Sequence, residues 1–420
     1  MYKIILLPAA LLALASAAWA EPLSLKDCLT RAAATNQGLK AEYYQIAIAQ
    51  EEVQVAKSGL LPRVDLMAGY QAQPQAQAVK FGSQTLETQN ADFALMDLTL
   101  YSTLYDFGKT HAREGAARSR RDAAQHNYSG SQQDLFLQVV RAYYGILEAY
   151  KLVKAADDEA LQMTSHQKTA QALFEQGVVT RNDLLQAEVR VAASRQKQLS
   201  AMNGVDNGWL LLNYLTGAPA QHRGELQEEP VSAAPSGSPA QPDLSKRGEI
   251  AALKDAVAAG DFAVQEVKSN YYPEFFAKLE LNYMQNDKVR EQAIMSALLG
   301  LKVNLYDGLA TSSRLRQAVQ VRSRDQERLR DLEAKVALEL AQAQNDLRVA
   351  GARIRVVEKA IQQGVENLRI TKDRYQEKVG TATEVVDAQT LLTQTRTDYY
   401  QSVFDLQVAA ARVKRATGEL

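Results

Sequence analysis

The sequence predicts a mainly α-helical protein that also contains β-strands, with two tandem copies of a long helical hairpin and four strands in all. Three observations predict this fold class. Residues 305–418 repeat the pattern of residues 104–217. Proline is absent from 75–218 and 274–420, and the stretches before each copy alternate apolar and polar residues. Absence of proline permits very long helices, and alternation with a period of two is typical of strands.

The two copies keep one register, with corresponding residues 201 positions apart. Leu-Tyr-Asp occupies both 104–106 and 305–307, and Thr-Gly closes the copies at 216–217 and 417–418. A repeated unit usually packs beside its copy because it cannot bury its apolar face alone. We therefore predict one object with two halves: a signal peptide over 1–20, a first repeat over 21–217, a proline-rich linker over 218–244 and a second repeat over 245–420.

Within each repeat the apolar spacing predicts very long helices. Apolar residues of the second copy recur in steps of three and four, which is the seam of a left-handed coiled coil. A single helix over 109–175 would be about 100 Å long at roughly 1.5 Å per residue. We expect helical hairpins over about 108–217 and about 308–418, and the seam of the second consists of Leu329, Leu332, Val336, Leu340, Ala343, Leu347, Ala350, Ile354, Val357, Ile361, Val365 and Leu368.

A shorter helix and a β-hairpin precede each long hairpin. We predict the first helix over 25–59, with a break near 36–38, and a loop rich in Gln, Ala, Ser and Gly at 72–90 between the first two strands. The β-hairpins are expected over about 62–104 and about 273–305. In the last strand, the alternation continues through Val303 and Leu305.

The predicted strands are suited to a membrane. Each has roughly the 9 to 11 residues that cross a bilayer when tilted, and tyrosines gather near the strand ends. A soluble sandwich with apolar faces packed together is the alternative. Four strands cannot close a membrane barrel, which needs about eight, so the open edges must pair with other copies of the chain. Three copies would supply twelve strands.

Composition and the first residues narrow the class of protein. Lys3, the apolar stretch 4–14 and Ala-Trp-Ala at 18–20 have the pattern of a secretory signal peptide. A formal net charge of −1 gives no reason to expect nucleic acid as a partner. The single cysteine, Cys28, is expected to be a free thiol in a helix. The histidines are far apart, and no nucleophile motif or phosphate-binding loop is present, so we expect no enzyme, metal site or cofactor.

Several short segments, each weak alone, are specific when taken together and in order. They are Leu-Ser-Leu-Lys-Asp-Cys-Leu at 23–29, Leu-Leu-Pro at 60–62, the two Leu-Tyr-Asp strand exits, and the turn segments 174–187 and 374–388. With these segments the mature chain resembles the TolC-like outer-membrane efflux protein family. The resemblance implies a homotrimer whose twelve-stranded barrel in the outer membrane continues as an α-helical tunnel into the periplasm. It also implies an exit duct for efflux or type I secretion, reached through a periplasmic adaptor and driven by an inner-membrane pump of the resistance-nodulation-division or ABC type.

The resemblance assigns a gate to the two turn segments. In the family, a tyrosine before the second turn is held by an aspartate after the first, which keeps the tunnel mouth closed. The matching residues are Tyr375 and Asp183, with Asn182 beside it. Gly380 stands where the family has an arginine, so the second part of the lock is expected to be missing. A helix N-cap at Asp183 is a second interpretation, and the two are not exclusive.

Glu384 and Asp387 are candidates for acidic rings in the pore. They are three residues apart, so they share one face of the return helix. In a trimer they would form two stacked rings, and close carboxylates raise one another's pKa and attract cations. The resemblance places acidic rings at these positions. An exposed acidic face without a role in the pore is the alternative.

The turns themselves are expected to dock the adaptor. The resemblance assigns this role to the small exposed residues Gly177, Val178, Val379, Gly380 and Thr381. Lys378 replaces a glycine of the family, so the shape of the second turn departs from the pattern. As an alternative, both segments simply reverse a helix.

Two other classes of protein fit part of the sequence. A periplasmic coiled-coil adaptor has one long helical hairpin and soluble β domains, whereas this chain has two hairpins and strands compatible with lipid. A stand-alone outer-membrane channel would not need rods of about 100 Å. The sequence therefore predicts an outer-membrane exit duct with a periplasmic helical tunnel.

Overall fold

The computed structural model describes residues 22–228, 244–377 and 379–420. The predicted signal peptide, residues 229–243 of the predicted linker and Lys378 lie outside the described residues. In chain order the elements are α1 (Leu25–Thr35), α2 (Gln37–Ser58), β1 (Arg63–Ala72), β2 (Ala78–Phe81), β3 (Gln84–Glu87), β4 (Asp92–Tyr105), α3 (Lys109–Glu175), α4 (Arg181–Thr216), a 3₁₀ turn (Leu244–Lys246), α5 (Gly248–Ser269), β5 (Glu274–Met284), β6 (Ala293–Lys302), α6 (Ala310–Gln376) and α7 (Ala382–Thr417).

The described chain divides into two compact units, and each takes residues from both repeats. The sheet unit comprises the described residues of 40–131 and 243–338. The tip unit comprises those of 1–39, 132–242 and 339–420, and it contains both helix-reversing turns. The long helices α3 and α6 contribute residues to both units.

The sheet unit contains one antiparallel sheet with the strand order β1-β4-β5-β6. Its register separates apolar from polar residues, because side chains opposite one another across a sheet lie on the same face. One cross-strand row is polar and consists of Asp65, Thr99, Glu280 and Ser296. The adjacent row is apolar and consists of Leu66, Leu98, Leu281 and Met295. The alternation predicted from the sequence therefore gives the sheet two chemically different faces.

Two details of the strands differ from the sequence predictions. The loop at 72–90 contains a second, two-stranded antiparallel hairpin of β2 and β3, which reverses near Gly82 at φ 62°. The last strand ends at Lys302 rather than continuing through Val303 and Leu305. Lys302 pairs with Glu274, which is the first residue of β5. Residues after Lys302 therefore have no partner in β5, although the alternation of apolar residues continues.

The long predicted helices are confirmed. The helices α3 and α6 each have 67 residues, α4 and α7 each have 36, and corresponding ends are 201 positions apart. Each Leu-Tyr-Asp motif ends on an aspartate that caps a long helix: the Asp106 carboxylate accepts from the Thr110 N–H at 2.8 Å, and Asp307 accepts from Thr311 at 2.9 Å. The motif recurs because both helices need a partner for free N–H groups at their starts.

Helix ends and packing follow the repeat as well. The helices α4 and α7 both end at a glycine with left-handed backbone, Gly217 at φ 62° and Gly418 at φ 76°. In α6 the predicted seam is buried at positions that include Val336, Ala343 and Ala350, which are seven residues apart. Within the described ranges, no helix combines the length and apolar character that a membrane crossing requires.

The core of the tip unit lies where α1, α3 and α4 meet the start of the linker. Trp209, Tyr143 and Ile146 are among its largest fully buried side chains. The Tyr143 hydroxyl donates to the Leu23 carbonyl at 2.9 Å, and the Trp209 Nε1–H donates to the Tyr150 hydroxyl at 3.0 Å. Aromatic side chains with satisfied polar atoms therefore fix this end of the first hairpin.

Candidate functional site at the two helix-reversing turns

The first turn joins α3 to α4 through a glycine in the left-handed region. Gly177 has φ 71°, its N–H donates to the Phe174 carbonyl at 2.9 Å, and the Val178 N–H donates to the Leu173 carbonyl at 2.9 Å. These bonds form a Schellman motif, which satisfies the last carbonyls of a helix. Glycine is required because a side chain is strained at this φ.

A reciprocal cap then starts α4. The Thr180 N–H and hydroxyl donate to the Asp183 carboxylate at 2.9 and 2.8 Å, and the Asp183 N–H donates to Thr180 Oγ1 at 3.3 Å. The side-chain bond from Thr180, followed by the backbone bond, lowers the pKa of Asp183 below its usual value. Thr180 is the N-cap, and Asp183 is the third helical residue of a capping box.

The second turn joins α6 to α7 by similar backbone bonds. The Val379 and Gly380 N–H groups donate to the Arg374 carbonyl at 2.9 and 3.1 Å, and Thr381 Oγ1 accepts from the Glu384 N–H at 3.2 Å. A Cβ atom at Gly380 would lie 3.3 Å from the Arg374 Cβ and 3.4 Å from the Tyr375 nitrogen. A small residue therefore fits here because the chain passes close to the end of α6.

The two candidate gate residues line one cleft beside the turns. This cleft of about 310 Å³ is lined by residues that include Asp183, Tyr375, His166 and Arg190. The structure thus brings Tyr375 and Asp183 to one place, but the Asp183 carboxylate bonds to Thr180 and no hydrogen bond joins it to Tyr375 within the described residues. Asn182 is exposed and does not line the cleft.

Each candidate pore carboxylate has an arginine of the same chain as its partner. Glu384 Oε2 lies 3.5 Å from Arg374 Nη1, and Asp387 Oδ1 lies 3.4 Å from Arg190 Nη1. The carboxylate side chains are 44% and 67% exposed. The positive charges of these two arginines offset the negative charges of Glu384 and Asp387, which differs from the expected rings of unpaired carboxylates. A comparison of the two copies could have drawn attention to these arginines. Arg374 corresponds to Leu173 and Arg190 to Leu391, so at each position one copy has a charged residue and the other an apolar one.

Buried apolar clusters join the helices next to the two turns. Met163 of α3, Val191 of α4 and Val386 of α7 form one buried cluster, so α7 packs on both helices of the first hairpin. Each hairpin also has one cluster that joins its own two helices. This cluster consists of Ala170, Leu184 and Ala187 in the first hairpin, and of Leu368, Ala388 and Leu392 in the second. The backbones near Arg190 and Asp387 are therefore held close by packing.

His166 adds a titratable group to the same cleft. Burial, followed by the positive charge of Arg190, lowers the pKa of His166 below its usual value. The position 201 residues later is Asn367, which cannot titrate. The first hairpin therefore contains a proton-sensitive residue that the second lacks.

Comparison with known proteins gives matches over almost the whole chain. A family model described as outer membrane efflux protein matches residues 28–218 and 242–419. Outer membrane protein TolC of Vibrio cholerae serotype O1 is 22% identical over 423 residues, which cover 98% of this chain and 94% of the relative. The alkaline protease secretion protein AprF of Pseudomonas aeruginosa is 22% identical over 349 residues, covering 80% and 71%. The solved structure of the outer membrane protein VceC from Vibrio cholerae matches with a TM-score of 0.81 and 17% identity, covering 94% and 96%.

Proposed function

The chain belongs to the outer membrane efflux protein family, and we propose that three copies of it form one duct. The protein lies in the outer membrane with its helical tunnel in the periplasm, and it is the exit duct of an efflux or type I secretion system. In our proposal, the cargo arrives through a periplasmic adaptor, and an inner-membrane pump of the resistance-nodulation-division or ABC type supplies the energy.

The main support for the proposed trimer is that the four-stranded sheet has two unpaired edges. Among the described residues, β1 pairs only with β4 and β6 only with β5, so both edges present unpaired backbone groups. Apolar side chains on these edge strands are largely exposed, including Leu66 at 64% and Met295 at 75%. In a lipid bilayer every backbone polar group needs a partner, which favours a barrel closed by neighbouring copies. Three copies supply twelve strands, above the usual minimum of about eight.

The turns are the proposed docking surface for the adaptor. Val178 is 65% exposed and Val379 is 71% exposed, and both follow a helix end that is fixed by backbone hydrogen bonds. Small, exposed apolar residues next to a helix end suit the packing of a helical partner. We include Gly177, Gly380 and Thr381 in this surface.

We propose the same roles for the gate and pore residues, with the condition that the Asp183 carboxylate must also bind Tyr375. A lock between Tyr375 and Asp183 requires the Asp183 carboxylate to leave Thr180 or to accept a further bond from the tyrosine hydroxyl. Asn182 is proposed to support this lock. Glu384 and Asp387 remain the proposed acidic positions of the pore.

Site-specific photo-crosslinking in intact cell envelopes tests the duct. Photoreactive residues at Val178 and Val379 are expected to capture a periplasmic adaptor, and the captured protein identifies the pump class. Val356 of α6 is a matched control, because it is 67% exposed but lies within a long helix rather than at a turn. Capture of self-trimers alone at both turns, with the probes shown to be reactive, would contradict docking and favour a stand-alone channel.

A further inference from the structure

We infer that Arg190 is a positioning residue that latches the two helical hairpins together near their turns through its ion pair with Asp387. The inference rests on the proposed duct. Arg190 belongs to α4 in the first hairpin and Asp387 to α7 in the second, and the Nη1–Oδ1 distance is 3.4 Å. The pair of Arg374 with Glu384, by contrast, joins the two helices of the second hairpin to each other.

Packing places the two charges opposite one another. The residue after Arg190, Val191, and the residue before Asp387, Val386, are both buried in the cluster that includes Met163. Two backbones fixed by buried contacts leave the ion pair with less conformational entropy to lose than two free surface side chains have. Asp183 is a carboxylate that lines the same cleft, beside His166 and Tyr375, but its Oδ2 accepts hydrogen bonds from Thr180. The carboxylate of Asp387 lies within ion-pair distance of Arg190.

The duplication provides an internal comparison. The residue that corresponds to Arg190 in the second repeat is Leu391, and the residue that corresponds to Asp387 in the first repeat is Gln186. In a ring of alternating hairpins, α7 also meets α4 of the next copy, where the equivalent pair of residues would be leucine and glutamine. The latch therefore ties the two hairpins of one chain to each other and does not tie neighbouring chains.

The ion pair gives Asp387 a second role beside its proposed acidic position in the pore. The charge of Asp387 is offset by an arginine of the same chain, so Asp387 also holds the two hairpins together near their turns. Opening of the tip breaks three such pairs at once in a trimer.

Charge reversal and charge exchange test the latch in planar bilayers with the full-length protein. Arg190→Asp and Asp387→Arg are each expected to raise the open fraction about threefold to a hundredfold, because three exposed pairs break together. The double exchange restores an ion pair and should return the open fraction to near the original value. Arg353→Asp is the control, since Arg353 pairs with Asp405 within the second hairpin at 3.8 Å. No rescue by the exchange, or an equal effect of the control, would overturn the latch.

A distance measurement in the purified protein separates the latch from the duct. Spin labels at Val189 and Leu391, which are 67% and 57% exposed on α4 and α7, report the separation of the hairpins without a membrane. Burial raises the pKa of the Cys28 thiol to about 12, so labelling is confined to the introduced cysteines. We expect Arg190→Asp to widen the separation and the exchange to reverse it. An unchanged separation overturns the latch, whereas a wider one in a protein that forms no channel supports the latch and contradicts the duct.

Discussion

The two turns differ in the partner of the carboxylate three residues after the N-cap. In the first turn this carboxylate accepts hydrogen bonds from the N-cap of its own helix, and in the second turn it forms an ion pair with a residue of the preceding helix. Asp183 and Glu384 are corresponding residues of the two repeats. The Asp183 carboxylate accepts from both the N–H and the hydroxyl of Thr180. Glu384 is one methylene longer and lies 3.5 Å from Arg374 of α6, and Thr381 keeps the bond from the Glu384 N–H.

The difference shows how one duplicated turn can serve two purposes. The first turn is complete in itself, because a Schellman motif ends α3 and a capping box starts α4. The second turn depends on contacts between helices, with the Arg374 pair within its hairpin and the Arg190 pair to the first hairpin. We therefore expect the first turn to be the more rigid one and the second to be the part that moves.

The largest expected effect on this comparison comes from Gly177→Ala. The left-handed φ of 71° makes alanine unfavourable by about 1–2 kcal/mol, so amide exchange in the first turn should speed up about 5- to 30-fold. Hydrogen exchange measured on a peptide that covers residues 173–184 tests this. Gly145→Ala within α3 is the control, since a Cβ there meets no atom within 4 Å and helix propensity favours it. Unchanged exchange in the first turn would show that strain at Gly177 does not limit its opening.

The next effect distinguishes the two N-caps. Thr180→Ala removes the N-cap of a reciprocal capping box and should destabilise the start of α4 by about 1 kcal/mol, which speeds its exchange about fivefold. Thr381→Ala removes a cap that accepts from the Glu384 N–H at 3.2 Å, and its effect on α7 should be smaller. Equal effects at the two starts would mean that the reciprocal bond adds nothing to the first turn.

Much of this architecture could be predicted from the sequence, because its causes are local. The absence of proline and the 3.5-residue spacing predict α3 and α6, and alternation predicts the four strands of the main sheet. The capping box at Thr180 also has a readable signal, a threonine followed three residues later by an acidic residue. The alternative of an N-cap at Asp183 is wrong, because Thr180 is the N-cap and Asp183 is the third helical residue.

Other features depend on partners that no local pattern identifies. The end of β6 is set by the first residue of β5, and the two four-residue strands β2 and β3 are too short to show a period. Arg190 and Arg374 find their carboxylates only after the helices pack, since the pairs lie 197 and 10 positions apart in sequence. A comparison of the repeats indicates where charge has diverged, but it does not indicate which charges meet.

A shorter side chain in the second turn should make it resemble the first. Glu384→Asp introduces the residue that forms the capping box in the first turn, and its shorter side chain removes the exposed ion pair with Arg374. An exposed pair of that kind contributes about 0–1 kcal/mol. We expect exchange at the start of α7 to slow about twofold, and Asp183→Glu to speed exchange at the start of α4. If both substitutions change exchange in the same direction, side-chain length does not explain the difference between the turns.

The smallest expected effect is a dependence on pH that only the first hairpin shows. The folded state lowers the pKa of His166, so the unfolded or opened state binds a proton more readily than the folded one. Stability is therefore complete above the unfolded pKa of about 6.5 and decreases as the pH falls through the lower folded pKa. His166→Asn introduces the residue of the second repeat and should abolish this loss. Hydrogen exchange near residue 166, measured in both proteins at each pH from 7.5 to 5, removes the intrinsic effect of pH on exchange. A constant ratio between the two proteins would show that protonation of His166 does not loosen the first hairpin, and the difference between the hairpins would then lie in their caps and ion pairs alone.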